Sequence, residues 1–284
     1  MALERLRLRA NGLVFDAVAL GPPHGELVLL LHGFPQTAMA WRGVTRRLAL
    51  AGYRVVAPDQ RGYSRGARPA AVEAHTVAHL RADVLAMATA LGARRFHVAG
   101  HDWGGVVAWS LAAENPERVR SVTVLSTPHP RALRDALRTP GQALRSAYIP
   151  VLRLPILPEL VLGFASGEVL RRLLHLSGLP GAQAAAYCRA MTRGGALHGA
   201  LNWYRALDVA AEVTGPIRVP ATYLWGARDP VFSAVAARAT AAQLAADHSV
   251  IRLPEAGHWL PETHAADVAG AIIARAGSAP RRRR

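Results

Sequence analysis

The chain contains no lysine. All 34 of its basic residues are arginine, against 19 acidic ones, for a formal charge of +15. An excess of that size raises nucleic acid as a partner. The arginines are scattered, however, and alanine is abundant throughout, a pattern that fits codon bias in a GC-rich genome as well as it fits selection for phosphate contacts. The one basic run, Arg281 to Arg284, reads as a disordered tail beyond the last helix, so that residues 279–284 form a basic C-terminal tail. No specific nucleic-acid partner is expected; weak non-specific binding at low salt is all that the charge implies.

Cysteine is nearly absent as well. Cys188 stands alone, which excludes an intramolecular disulfide, and no cluster of metal ligands surrounds it in sequence. No window approaches the roughly 18 uninterrupted apolar residues of a membrane span. The N-terminal MALERLRLRANG alternates charge with leucine and lacks the apolar core of a signal peptide. These absences imply a cytoplasmic protein with no membrane span. The 284 residues are 51% hydrophobic and 19% charged, which suits one large α/β domain or a domain with an insertion and gives no case for disorder.

Short apolar runs alternate with helical patterns from Glu26 to Ser126. ELVLLLHG, YRVVAPD, RFHVAG and VRSVTVLS are apolar throughout, as strands buried on both faces of a parallel sheet are, and stretches of helical spacing separate them. That order predicts an α/β fold, a mostly parallel sheet flanked by helices. The alternation breaks after STPHP. From 130 to 213 the pattern is helical, punctuated by Pro140, Pro150, Pro155, Pro158 and Pro180, and it resumes with ATYLWG, a helix near Ser233 to Ala245, HSVIRLP and a last helix to about Ala276. The expected organisation is a core of 1–129 and 214–278 with a helical lid, or cap, of 130–213 at the carboxyl edge of the strands.

Three strand ends carry reactive groups. GHDWGG, Gly100 to Gly105, has the glycine-x-nucleophile-x-glycine frame at a strand-to-helix turn, with Asp102 in the central position. Aspartate is also a favoured helix N-cap, so Asp102 alone could be structural. WGARDPVF places Asp229 after the next-to-last strand, and EAGHWLP places His258 after the last. Nucleophile, acid and histidine in that order, each where loops converge, is the arrangement of a catalytic triad on such a sheet. In LLLHGFPQ a fourth strand end can turn the Phe34 N–H toward the elbow. The Trp103 N–H, one residue past Asp102, is the second oxyanion donor.

With HGFPQ, APDQRGYSRG, GHDWGG, NWYR and GHW, the chain resembles the α/β-hydrolase superfamily and, within it, the epoxide hydrolases, over nearly its whole length from Val14 to Ala276. The resemblance implies a cofactor-independent and metal-free hydrolase acting on a small-molecule epoxide and water, with a homodimer as one arrangement. A carboxylate is already ionised at neutral pH and displaces a leaving group from saturated carbon, giving an alkyl ester. His258, oriented by Asp229, then activates the water that cleaves it. In the epoxide hydrolases two lid tyrosines protonate the opening oxygen. Tyr204 of NWYR matches one, and Tyr148 looks like the other, with Tyr187 as its substitute. Leu152, Ile156, Phe164 and Leu176 are apolar lid residues available to shape a pocket.

HGFP and GHDWGG are shared by other aspartate-nucleophile hydrolases, so dehalogenation is the alternative. Haloalkane dehalogenases carry asparagine at the place of Phe34, and fluoroacetate dehalogenases carry arginine at the place of Trp103; neither is present. A non-catalytic, ligand-binding relative of the fold is a further reading, and it requires a reacting group to be missing.

Overall fold

The computed structural model describes residues 2–208 and 215–279. Its sheet has eight strands in the order β1-β2-β4-β3-β5-β6-β7-β8: β1 Glu4–Ala10, β2 Leu13–Leu20, β3 Leu27–Leu31, β4 Arg54–Pro58, β5 Phe96–His101, β6 Val119–Leu125, β7 Ala221–Gly226 and β8 His248–Leu253. From β4 across to β8 every pairing is parallel; β1 and β2 add an antiparallel hairpin at one edge. The central strands are the unbroken apolar runs of the sequence, and every residue of LVLLL in β3, FHVAGH in β5 and ATYLWG in β7 is buried. Both faces of the sheet are therefore covered.

Helices α1 Arg42–Leu50, α2 Val77–Ala90, α3 Trp103–Glu114, α10 Ala234–Ala239, α11 Leu260–Thr263 and α12 Ala265–Ser278 accompany the strands. The expected helix at Ser233 to Ala245 is shorter, ending at Ala239 in a single tight turn over Thr240–Gln243. The hairpin of β1 and β2 was not anticipated. Its sequence signal is present in the alternation of LRLRA and in the Asn11-Gly12 turn, where both residues have positive φ, the conformation that tight hairpin turns demand and Asn-Gly supplies.

Between β6 and β7 the chain makes a helical excursion: α4 Pro130–Ala136, α5 Pro140–Arg145, α6 Tyr148–Leu152, α7 Leu157–Leu176, α8 Gly181–Met191 and α9 Ala196–Arg205. Prolines open α4, α5 and α7, where a missing N–H costs nothing. Helix α7 is broken at Phe164–Gly167, where the backbone leaves helical φ/ψ. Two contacts seat α9 on the core. The Trp203 indole donates to the Arg61 carbonyl at 2.8 Å, and Gly199 packs so closely against Gly62 that a side chain on either would strike the other's backbone. The end of the expected lid, 209–213, and all but Ala279 of the expected basic tail lie outside the described residues. Among the described residues no single helix is long and apolar enough to cross a membrane.

The chain runs from β3 to β4 on one side and then returns to place β5 on the other side of β3. The loops leaving β3 and β5 therefore diverge, and the crevice between them at the carboxyl ends is where ligands bind in open α/β sheets.

Candidate active site

Asp102 sits between β5 and α3 with φ 51° and ψ −123°, a strained backbone for a residue with a side chain. The turn is held by close packing: a Cβ on Gly100 would strike the Gly104 carbonyl, and one on Gly104 would strike the Leu31 carbonyl. Although Asp102 occupies the N-cap position of α3, its side chain makes no capping hydrogen bond. The carboxylate turns instead to the loop after β3, where Oδ1 accepts the Phe34 N–H at 2.8 Å. Burial raises the Asp102 pKa, against the opposing pull of His258 and of the Trp103 and Phe34 backbone N–H groups. Both sequence-derived oxyanion donors thus reach the carboxylate at the elbow. Gly33 makes this approach feasible, because a Cβ there would overlap the Asp102 side chain.

His258 follows β8, and Asp229 follows β7. The imidazole Nδ1 lies 3.0 Å from Asp229 Oδ2, while Asp229 Oδ1 accepts the Val231 and Phe232 N–H groups at 2.7 and 3.0 Å. With Nδ1–H donating to the carboxylate, Nε2 is left as the basic nitrogen. It stands 3.8 Å from Asp102 Oδ2. Burial pulls the His258 pKa down, but the Asp229 charge and hydrogen bond, helped by Asp102 and Glu262, outweigh it and the net shift is upward. The His258 carbonyl is pinned from behind by the Ser126 hydroxyl at 2.8 Å and faces His101 Nε2 at 2.9 Å.

Tyr204 and Tyr148 come down from the helical excursion. The Tyr204 ring is boxed edge-on by Trp103 at 5.1 Å, Phe34 at 5.4 Å and Tyr148 at 6.3 Å between centroids. Tyr148 opens α6, which follows α5, and α5 is tied to the Asp229 loop by Arg145 donating to the Asp229 carbonyl at 2.9 Å and by Gln142 bonding Val231 and Ser233. Tyr148 is 37% exposed as a residue, but its hydroxyl is buried and hydrogen-bonds with Tyr204. Burial pushes both phenols above their ordinary range, reinforced at Tyr148 by the Asp102 charge and at Tyr204 by Tyr148 and then Asp102, so each keeps its proton.

Asp102, Trp103, Tyr148 and Tyr204 line one cavity of about 110 Å³, walled on the remaining sides by apolar residues such as Leu137 and Phe232. Tyr187 is not among its walls. Its hydroxyl donates to Glu262 Oε1 at 2.7 Å, so the second tyrosine at the cavity is Tyr148. The apolar lid residues singled out in the sequence fall elsewhere: Ile156, Phe164 and Leu176 are 68%, 69% and 82% exposed, and Leu152 packs against the core. Helical spacing alone does not say which face of a short helix looks inward, and the walls come instead from Leu133, Leu137 and Ile149.

Two residues at this site escaped the sequence reading. Gln36 lies inside HGFPQ; the Gln36 side chain accepts the Gly33 N–H at 2.8 Å and donates to Glu262 at 2.7 Å. Glu262 is half-buried as a residue, with its carboxylate turned inward, and desolvation of that carboxylate raises its pKa to about 7. No local pattern marks it, because an acid in the first turn of a helix reads as a solvated end.

A serine elbow requires its histidine to touch the nucleophile, whereas here the two stand apart and the carboxylate needs no base to ionise. Fold and site together define an α/β hydrolase with a carboxylate at its elbow. The alpha/beta hydrolase fold family model matches residues 26–265. The chain is 35% identical to AB hydrolase superfamily protein YfhM of Bacillus subtilis, over 89% of this chain and 91% of that protein. It is 33% identical to epoxide hydrolase A of Mycobacterium tuberculosis, over 95% and 96%. The crystal structure of epoxide hydrolase A from Mycobacterium thermoresistibile superposes with a TM-score of 0.81 at 27% identity, covering 98% of this chain and 99% of that one. The chain belongs to the α/β-hydrolase fold family and, within it, to the epoxide hydrolases.

Proposed function

We propose that this protein converts an apolar epoxide to a vicinal diol through an alkyl ester on Asp102. The observation that carries the reading is the shared cavity, lined by the Asp102 carboxylate and by two phenols that keep their protons. Oδ1 is held by the Phe34 N–H, which leaves Oδ2 to attack an epoxide carbon. As the C–O bond breaks, the oxygen takes a proton from the Tyr148 and Tyr204 pair. An opening epoxide develops alkoxide charge and needs that acid, while a departing halide does not.

In the second half, water adds to the Asp102 carboxyl carbon and passes a proton to His258 Nε2. The Phe34 and Trp103 N–H groups hold the oxyanion on Oδ1; its collapse breaks the bond to the alkyl oxygen, which takes the second water proton from the new carboxyl, and this releases the diol and the Asp102 carboxylate. The imidazolium, stabilised by Asp229, returns the proton to the phenolate. The 3.8 Å between Nε2 and Oδ2 fits a base that serves the water rather than the nucleophile. The reading includes a division into a core, 1–129 and 214–278, and a cap, 130–213, which supplies both acids, together with residence in the cytoplasm.

The test is a turnover assay with aryl and aliphatic epoxides alongside Asp102→Ala. Diol formation by the native chain and none by the variant is the expected result; diol from Asp102→Ala, or no diol from any epoxide, overturns it.

A further inference from the structure

Behind the reacting groups lies a buried chain of polar contacts that the mechanism above does not use. It starts on the cap at Tyr187 of α8, whose hydroxyl donates to Glu262 Oε1 at 2.7 Å. The same oxygen accepts Gln36 Nε2 at 2.7 Å, while Oε2 is buried with no side-chain partner among the described residues. The other end of the Gln36 amide, Oε1, accepts the Gly33 N–H at 2.8 Å and faces His101 Nδ1 at 2.8 Å. Gly33 leads directly into Phe34, whose N–H reaches Asp102 Oδ1.

The direction of the Gln36 amide decides whether this chain works. With its NH2 toward Glu262, its oxygen meets the Gly33 N–H; turned over, it would set two donors against each other. Oε1 accepts from both Gln36 and Tyr187, so it acts as the acceptor whether or not Oε2 carries a proton, and it permits one orientation. Both donors converge on a single Glu262 oxygen while the other is buried, an expensive arrangement for a carboxylate with no task beyond its own solvation.

We infer that Glu262 is a positioning residue for the oxyanion donor: through Gln36 it fixes the Gly33–Phe34 loop against Asp102, and through Tyr187 it makes that alignment depend on the seating of the cap. The inference rests on the proposed ester mechanism and adds a specific asymmetry to it. In the first half-reaction Asp102 loses charge, so the Phe34 N–H gains nothing as the transition state forms. In the second half the same oxygen becomes an oxyanion and the donor bond strengthens. Only interactions that strengthen toward a transition state accelerate a step, so a displaced Phe34 N–H slows ester hydrolysis and spares ester formation.

The experiment is rapid-quench kinetics with a reactive epoxide, read by intact mass, on the native protein, Glu262→Met, Glu262→Gln, Tyr187→Phe and His258→Gln. Loss of an oxyanion donor costs about 100- to 1,000-fold, and displacement through a positioning residue is expected to cost about 10- to 100-fold. Glu262→Met therefore accumulates alkyl-enzyme, with hydrolysis slowed by that factor and alkylation changed by less than about 5-fold. Glu262→Gln retains one acceptor oxygen and recovers most of the loss, and Tyr187→Phe shows the same asymmetry in weaker form. Melting curves establish that each variant is folded. Should Glu262→Met not fold, Tyr187→Phe alone decides the matter. Parallel loss of both steps, or no ester in any Glu262 or Tyr187 variant while His258→Gln does accumulate it, overturns the inference and leaves the mechanism intact. Absence of ester in His258→Gln itself overturns the mechanism on which the inference rests.

Discussion

His258 Nε2 stands 3.8 Å from Asp102 Oδ2, too far for a direct hydrogen bond, while its Nδ1 meets Asp229 Oδ2 at 3.0 Å. The imidazole is thus bound tightly to the acid behind it and only loosely to the nucleophile in front. In a serine hydrolase that separation would be a defect; for a carboxylate nucleophile it divides the labour between two steps.

His258→Gln is accordingly expected to leave ester formation within about 10-fold of native and to slow ester hydrolysis by at least the 100- to 10,000-fold typical of a general base. Intact mass after mixing with epoxide should show the protein plus one substrate. A variant that turns over repeatedly would remove His258 from the mechanism.

The tyrosines are not expected to be equivalent. Tyr204 is wedged among Trp103, Phe34 and Tyr148, whereas the Tyr148 ring is partly open to solvent. Tyr204→Phe should lower the rate of alkylation about 100-fold and Tyr148→Phe about 10-fold, with the double variant losing more than either, within the range of one general acid. The same proteins assayed with haloalkanes are expected to release no halide, because the Phe34 side chain beside Asp102 has no N–H to donate to a departing halide. Halide release unaffected by loss of the phenols would reassign the site to dehalogenation.

Gly33 offers a check on the loop alone. A methyl group there would overlap the Asp102 side chain, so Gly33→Ala must push apart the carboxylate and the Phe34 N–H. We expect alkylation and hydrolysis to fall together by more than about 100-fold, since a 1 Å misplacement costs that much, in a protein whose circular dichroism is unchanged. The contrast with Glu262→Met, where only hydrolysis should suffer, separates damage to the nucleophile from damage to its donor.

The parts of this architecture that the sequence announced are those set by short-range rules. Strands β3 to β7 were legible because strands buried on both faces are mostly apolar, and Asp102 and Asp229 because each follows such a run; His258 follows β8, a largely exposed edge strand, and was legible from its place after HSVIRLP. The β1–β2 hairpin carried its own alternation and an Asn-Gly turn and could have been read. Cavity walls are different: Leu137 and Ile149 point inward while Ile156 and Phe164 point outward, although all four are apolar residues on proline-broken helices. Which face turns in is decided by the tethers of α5 and α9 to the core, through Gln142, Arg145 and Trp203, and these span 84 to 142 residues of chain. Glu262 is hidden for the same reason, since Gln36 and Tyr187, the partners that make it notable, lie 226 and 75 residues away.

The pH dependence follows from the signs of the shifts. Burial raises the Asp102 pKa above its ordinary 3.8, and Asp229 keeps that of His258 above 6.5 despite burial. Ester formation needs Asp102 ionised and is indifferent to a protonated His258; ester hydrolysis needs His258 neutral. As pH falls from 8, hydrolysis is therefore lost first, through a pKa above 6.5, while alkylation persists until Asp102 itself takes a proton. The steady-state fraction of alkylated protein should rise as pH drops from 8 toward 6, and kcat should show its acid limb at higher pH than kcat/KM. On the alkaline side both phenols are held above their ordinary 10.0, so acid catalysis should show no decline up to about pH 10. Quenching at a series of pH values and weighing the intact protein tests both limbs. An ester fraction that falls with falling pH would mean that the histidine acts before the ester forms, and would return Asp102 to an ordinary base-assisted nucleophile.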